Sequence, residues 1–222
     1  MPSPDKLLWH ERDLEYFTQY SEPVMANVQR MHITNVNSTI PYFGPMLYFL
    51  VRQFGSEQVL EIGHAEGYSS FYLAHGVKDN AIRFGMKGNH YYGIDIVQTE
   101  RVREQLEAEG LPVTIINKDS TTLDDNSFLD VVFDMIFQDG CHDAEHVLHE
   151  FNAMWKRLKG QGNGYWIAHD CYGPAEDGCN LLIKKIKDEN IPVEYIRLGG
   201  MYGLLIIRKM ENYDYNKRYW TD

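Results

Sequence analysis

The chain predicts an α/β domain, doubly wound, with helices on both faces of a mostly parallel sheet. Three observations carry that prediction. Short apolar runs alternate with stretches of helical period across residues 55–210. Several of the runs end in an acid or a glycine, as strands do where they turn into a helix. The last two runs are separated by Gly199-Gly200, a tight turn that adds an antiparallel hairpin strand to the sheet.

The elements follow in order. Residues 5–30 are charged and aromatic and read as one or two surface helices. Tyr42 to Phe54 reads as a helix with Gly55 as its stop. Val59 to Ile62 is a short strand, and Ser69 to Ala74 fits a helix. Lys78 to His90, polar and carrying Gly85 and Gly88, reads as an inserted surface loop. Tyr91 to Val97 is a strand, Thr99 to Glu109 a helix with Thr99 at its N-cap, and Val113 to Asn117 a strand. Val131 to Gln138 is a fourth strand. Val147, Phe151, Met154 and Leu158 recur at helical spacing, and Gly160 is the stop. Gly164 to Ala168 is a fifth strand, Leu181 to Glu189 a helix, and Val193 to Leu198 with Tyr202 to Arg208 the closing pair. That makes seven strands. The organisation expected is an N-terminal helical cap over residues 1–54, one domain over 55–210 and a tail over 211–222.

Bulk properties exclude several classes. At 222 residues the chain can bury about 70% of its unfolded surface, enough for a core without staples. Its 32 acidic residues exceed its 21 basic ones, for a net charge of −11. Proteins that live on nucleic acid gain affinity from a basic face, so neither DNA nor RNA is expected as a partner. Cys141, Cys171 and Cys179 are an odd number for a disulfide framework and read as reduced thiols of a cytoplasmic protein. MPSPDKLLWHERD lacks the apolar run of a signal peptide, and Ile40 to Phe54, broken by Pro41, Pro45 and Arg52, is too short to span a bilayer. The aromatic tail NYDYNKRYWTD fits packing on a second copy of the chain or on its own domain.

The chemistry concentrates at strand ends. VLEIGHAEGYSS places Glu61, Gly63 and Gly67 at the first strand-to-helix turn. Glycines there let a ligand approach the backbone. The spacing lacks the middle glycine of a dinucleotide fingerprint, and no lysine follows as in a Walker loop. Acid-x-Gly-x-x-x-Gly instead resembles motif I of the class I S-adenosylmethionine-dependent methyltransferases. Asp95 at the end of the second strand, Asp119-Ser120 after the third and Asp139 after the fourth stand in the order of that family's further motifs.

The resemblance implies a Rossmann-like methyltransferase fold over roughly residues 55–209. It implies a role for Glu61, Gly63, Gly67 and Ser69 at the methionine end of the cofactor, for Asp95 at the ribose and for Asp119 and Ser120 at the adenine. Asp139-Gly140-x-His142-x-x-Glu145 looks like the corresponding segment of small-molecule O-methyltransferases related to catechol O-methyltransferase and to antibiotic- and sugar-modifying enzymes. The expected activity is therefore O-methylation of a small hydroxylated molecule, with His142 taking the acceptor proton near Asp139. In the metal-dependent members two acids hold a divalent ion such as Mg²⁺. Their positions here are Asp139 and Asp170, with His169 as a third ligand. Cys171 stands where the catechol enzymes carry an asparagine, and a thiol suits a hard cation poorly. A metal site and a metal-free site both stay open.

Two rival readings remain. His142-Asp143-Ala144-Glu145-His146 matches the H-x-x-E-H pattern of inverted zinc proteases. A protein that binds the cofactor and regulates without catalysis is the other. His146 and His149 read as residues of a helix surface, and Trp166 as strand-core packing.

Overall fold

The computed structural model describes residues 43–97, 99–124, 126–173, 175–199 and 202–212. The helices expected at residues 5–30, Tyr42 and the aromatic tail from Tyr213 onward lie outside these. The elements are α1 (Phe43–Phe54), β1 (Gln58–Ile62), α2 (Tyr68–Phe84), β2 (His90–Asp95), α3 (Thr99–Ala108), β3 (Val113–Asn117), β4 (Met135–Gln138), α4 (Ala144–Met154), β5 (Gly164–His169), α5 (Asp177–Asp188), β6 (Val193–Leu198) and β7 (Leu204–Lys209).

The seven strands form one sheet in the order β3-β2-β1-β4-β5-β7-β6. Neighbours from β3 to β5 pair in parallel, and β7 runs antiparallel between β5 and β6. Strand order reverses between β1 and β4. Side chains at the carboxyl ends of these two strands therefore face a shared crevice, where open α/β sheets take their ligands.

β1 and β4 read as near-continuous apolar runs because helices cover both faces. Leu60, Ile136, Phe151, Trp166 and Leu182 lie in one core cluster between the sheet and the helices α4 and α5. Each such side chain removed from water contributes about 1.5–3 kcal/mol before the entropy of ordering it is counted. Trp166 is fully buried, and its indole N–H donates to Gln138 Oε1 at 3.1 Å, so its polar edge is satisfied inside the core.

Several boundaries differ from the sequence expectation. The segment from Lys78 to Phe84 is not a loop: α2 runs through it and stops at Gly85. Its polar residues hid this, because two of them are buried against α1. Asp79 accepts the Tyr48 hydroxyl at 2.7 Å, and Asn80 donates to the carbonyls of Val51 and Ser56, each at 2.9 Å. The fourth strand begins at Met135 rather than Val131, since Val131 lies in a turn whose N–H bonds to Phe128 O. α4 gives way to a short 3₁₀ turn, Trp155–Arg157, so the helical spacing ends before Leu158 and Gly160. α5 starts four residues earlier than Leu181, at Asp177.

Candidate active site

The site is built from the turns that leave β1, β2, β3, β4 and β5. At the first, Gly63 has φ +86°, a conformation that L side chains rarely adopt. A β-carbon at Gly63 would lie within 2.5 Å of Asp139 O and Gly140 N. The turns after β1 and β4 thus touch backbone to backbone across the crevice. Gly67 begins α2 and would bring a β-carbon to 2.9 Å from Val102 of α3.

Glu61 lies on β1 beneath this turn and is fully buried. Its Oε2 accepts the Ser70 hydroxyl at 2.6 Å and the Tyr91 hydroxyl, while Oε1 has no hydrogen-bond partner among the described residues. Burial raises its carboxyl from 4.5 to about 7, against the opposing hydrogen bonds from Ser69, Ser70 and Tyr91. Ser69 is buried beside it in the first turn of α2.

Asp95 ends β2 and braces the glycine turn. Its Oδ2 accepts the Ala65 N–H at 2.8 Å and its Oδ1 the Val97 N–H at 3.0 Å. Ala65 has φ +44°, so this carboxylate holds a backbone that would otherwise relax. Asp119, after β3, accepts the Thr121 N–H at 2.9 Å and its hydroxyl at 2.7 Å, capping a 3₁₀ turn. Ser120 Oγ lies 2.8 Å from His146 Nε2.

That last contact leads to residues the sequence did not mark as functional. His146 Nε2 lies 3.2 Å from Glu150 Oε1, and Gln138 Nε2 donates to Glu150 Oε2 at 2.5 Å. Glu150 is fully buried. Burial holds its carboxyl above the ordinary value, opposed by hydrogen bonds from Ser120 and Gln138. A polar chain thus runs from Trp166 through Gln138, Glu150 and His146 to Ser120. Glu150 was legible in principle, because it shares the buried face of α4 with Val147, Phe151 and Met154.

At the other end of the crevice, His169 Nδ1 lies 2.9 Å from Asp139 Oδ1 and 2.9 Å from Asp170 Oδ1. His142 Nε2 lies 3.0 Å from Asp170 Oδ2. Phe43 packs edge-on against the His169 ring at 5.2 Å between centroids. Burial alone would lower the His169 pKa, but hydrogen bonding to Asp139 and Asp170 and their charges outweigh it and lift it to about 10. Asp170 has φ +55°. Burial would raise its carboxyl, yet the hydrogen bond and charge of His169, with the charge of His142, keep it below its usual value. Gln138, Cys141, His142, His169 and Cys179 line a small cleft here.

The structure therefore brings Asp139, His142, His169 and Asp170 together, and gathers Glu61, Gly63, Ser69 and Asp95 at the neighbouring turns. As arranged, the acids do not fit a divalent ion. No group of three or more His, Cys, Asp or Glu side chains among the described residues is disposed to hold one. The zinc-protease pattern is not presented on one helix: α4 starts at Ala144, after His142, and the imidazoles of His142 and His146 go to different partners.

The chain belongs to a methyltransferase domain family, whose model matches residues 60–171, just over half of its length. Among solved structures it is similar to a Bacillus cereus O-methyltransferase in complex with S-adenosylhomocysteine (20% identity, 88% of this chain and 96% of that one, TM-score 0.62). It is also similar to the O-methyltransferase TomG of Streptomyces achromogenes, involved in tomaymycin synthesis and solved with S-adenosylmethionine (15% identity, 95% and 100%, TM-score 0.63). The S-adenosylhomocysteine-bound methyltransferase PaMTH1 of Podospora anserina matches at 16% identity over 94% and 97%, with a TM-score of 0.62. These likenesses show a Rossmann-like methyltransferase fold, with its seven-stranded sheet and antiparallel C-terminal strand, as the sequence predicted. A search of curated proteins finds no match. Among the described residues no helix is long and apolar enough to cross a membrane.

Proposed function

We propose that the chain is an S-adenosylmethionine-dependent O-methyltransferase acting on a small hydroxylated molecule, a sugar or a secondary metabolite. The observation that carries this reading is the pairing of a cradle with a base at one sheet edge. The cradle is the close approach of Gly63 to Gly140, braced by Asp95. The base is His142, set against Asp170.

When bound, the cofactor supplies an electrophilic methyl group on a sulfonium. The residues present fit it: the glycine turn leaves its backbone bare, and the buried Glu61 Oε1 is an acceptor without a donor. Glu61, Gly63, Gly67 and Ser69 form the methionine end of the cradle. Asp95 has lone pairs left for ribose hydroxyls, since each oxygen accepts one N–H in the described structure. Asp119 and Ser120 border the adenine side, with His146 and Glu150 behind Ser120.

His142 Nε2–H donates to Asp170, which leaves Nδ1 as the acceptor for the substrate's hydroxyl proton. Asp139 and Asp170 keep the β4 and β5 turns together through His169. Phe43 walls the acceptor side. Positioning supplies much of the rate in such a transfer, so a rigid rim matters more than any single charge.

The test is calorimetric titration with S-adenosylhomocysteine and with NAD, followed by mass detection of methylated products from a library of hydroxylated acceptors. S-adenosylhomocysteine binding with methyl transfer is expected. Binding without turnover on any acceptor would leave the regulatory reading, and NAD binding alone would sink both.

A further inference from the structure

We propose that His169 stands in the place of a divalent cation, so that the acceptor end of this site works without a bound metal ion. The catalytic meaning of this rests on the O-methyltransferase reading, but the placement of the imidazole does not.

An ion between two carboxylates would relieve their repulsion, tie the β4 and β5 turns together and present a polar contact to the acceptor. His169 is built for the same three tasks. Its Nδ1 lies 2.9 Å from an oxygen of Asp139 and 2.9 Å from an oxygen of Asp170. It is the last residue of β5, and its backbone is in register with Leu204 of β7. Its Nε2 is buried and has no partner among the described residues, in the wall of the cleft that His142 also lines.

The ring is not a side chain waiting at the surface. Its residue is 7% exposed, with the Phe43 edge at 5.2 Å and the His142 ring at 6.4 Å between centroids. Asp139 Oδ1 and Asp170 Oδ2 already face imidazole nitrogens, and Asp170 Oδ1 lies 2.9 Å from His169 Nδ1 without accepting a hydrogen bond. A hard cation would have to displace those contacts. Cys171, next after Asp170, packs in the hydrophobic core and does not line the cleft, so it offers a hard cation no further oxygen ligand.

The reading makes a prediction opposite in sign to that of a metal-ligand histidine. The purified full chain is stripped with a chelator and titrated with Mn²⁺, free ion being followed by electron paramagnetic resonance. Wild type is expected to leave the free-ion signal unchanged. His169→Asn, which vacates the slot and adds an amide oxygen, is expected to bind one ion at least about tenfold more tightly than wild type. Adding Asp170→Asn is expected to abolish that site. Wild-type binding that weakens in His169→Asn overturns the proposal, because His169 is then a ligand. Absence of binding in both chains also overturns it, because His169 is then not what keeps the ion out. Near-ultraviolet circular dichroism checks the fold, and His169→Gln serves if His169→Asn does not fold. The readout needs no methyl acceptor, so it can fail while methyl transfer is found, or succeed while it is not.

Discussion

Replacing Gly63 by alanine tests the contact on which the cradle depends. The substitution adds one methyl group to a backbone at φ +86°. Holding an L residue in that left-handed region costs about 1–2 kcal/mol. The new carbon would also lie within 2.5 Å of Asp139 O and Gly140 N, which are backbone atoms and cannot rotate away. Overpacking of that kind costs a further ~1–3 kcal/mol. The sum is about 2–5 kcal/mol, and at roughly 2–4 °C per kcal/mol for a domain of this size the midpoint falls by about 4–20 °C. Gly85→Ala is the control. Gly85 has φ +62° and nothing within 4 Å of the added carbon, so it should show the conformational cost alone. Urea and thermal unfolding give the two losses, and calorimetry with S-adenosylhomocysteine gives the effect on the cradle. Gly63→Ala should lose more stability than Gly85→Ala and should weaken S-adenosylhomocysteine binding, whereas Gly85→Ala should leave it unchanged. Equal stability losses with equal affinities for that ligand would refute the reasoning.

Other perturbations read other parts of the rim. Glu61→Gln should gain stability on wild type as pH rises. The folded carboxyl is raised from 4.5 to about 7, so the wild type loses stability between those values, while the amide does not titrate. The gap should widen through pH 7 and level off above about pH 8 at no more than about 3 kcal/mol, as urea unfolding at several pH values would show. Asp95→Ala removes a carboxylate that accepts two backbone N–H groups. At about 1.5–3 kcal/mol for each charge-assisted bond, destabilisation together with at least tenfold weaker S-adenosylhomocysteine binding is expected by denaturation and calorimetry. His142→Ala should lower kcat by about 10²–10⁴ while leaving S-adenosylhomocysteine affinity nearly unchanged. Asp170→Asn should lower the same rate, because it replaces the carboxylate 3.0 Å from His142 Nε2 with a neutral amide that orients the ring less firmly.

The succession of strands along the chain was readable because three of them lead into residues a buried strand has no other use for: Glu61 and Gly63, Asp95, Asp139. The doubly wound class followed from that rhythm. What escaped was polar material doing interior work. Asp79 and Asn80 look like loop residues in sequence, yet they are the inner face of α2 against α1. Glu150 looks like the wet side of an amphipathic helix until its spacing from Val147 and Met154 is noticed. The contact between Gly63 and Gly140 could not be read either, since it joins residues far apart in the chain. The same holds for His169, whose two carboxylate partners come from different strand ends. Spacing along one element reports its own faces, and only the packing of β4 beside β1 and β5 reveals what meets across the gap.

The position of β7 has a consequence for biosynthesis. Among the described strands the last to leave the ribosome is an interior one, inserted between β5 and β6. Until residues 204–209 emerge, the flank of β5 from Gly164 to His169 lacks its partner, and an unpaired apolar flank invites association with other nascent chains. A translation product halted before Leu204 would carry Glu61, Asp95, Asp139, His142 and Asp170 and still be a client for chaperones, because β5 would lack its neighbour.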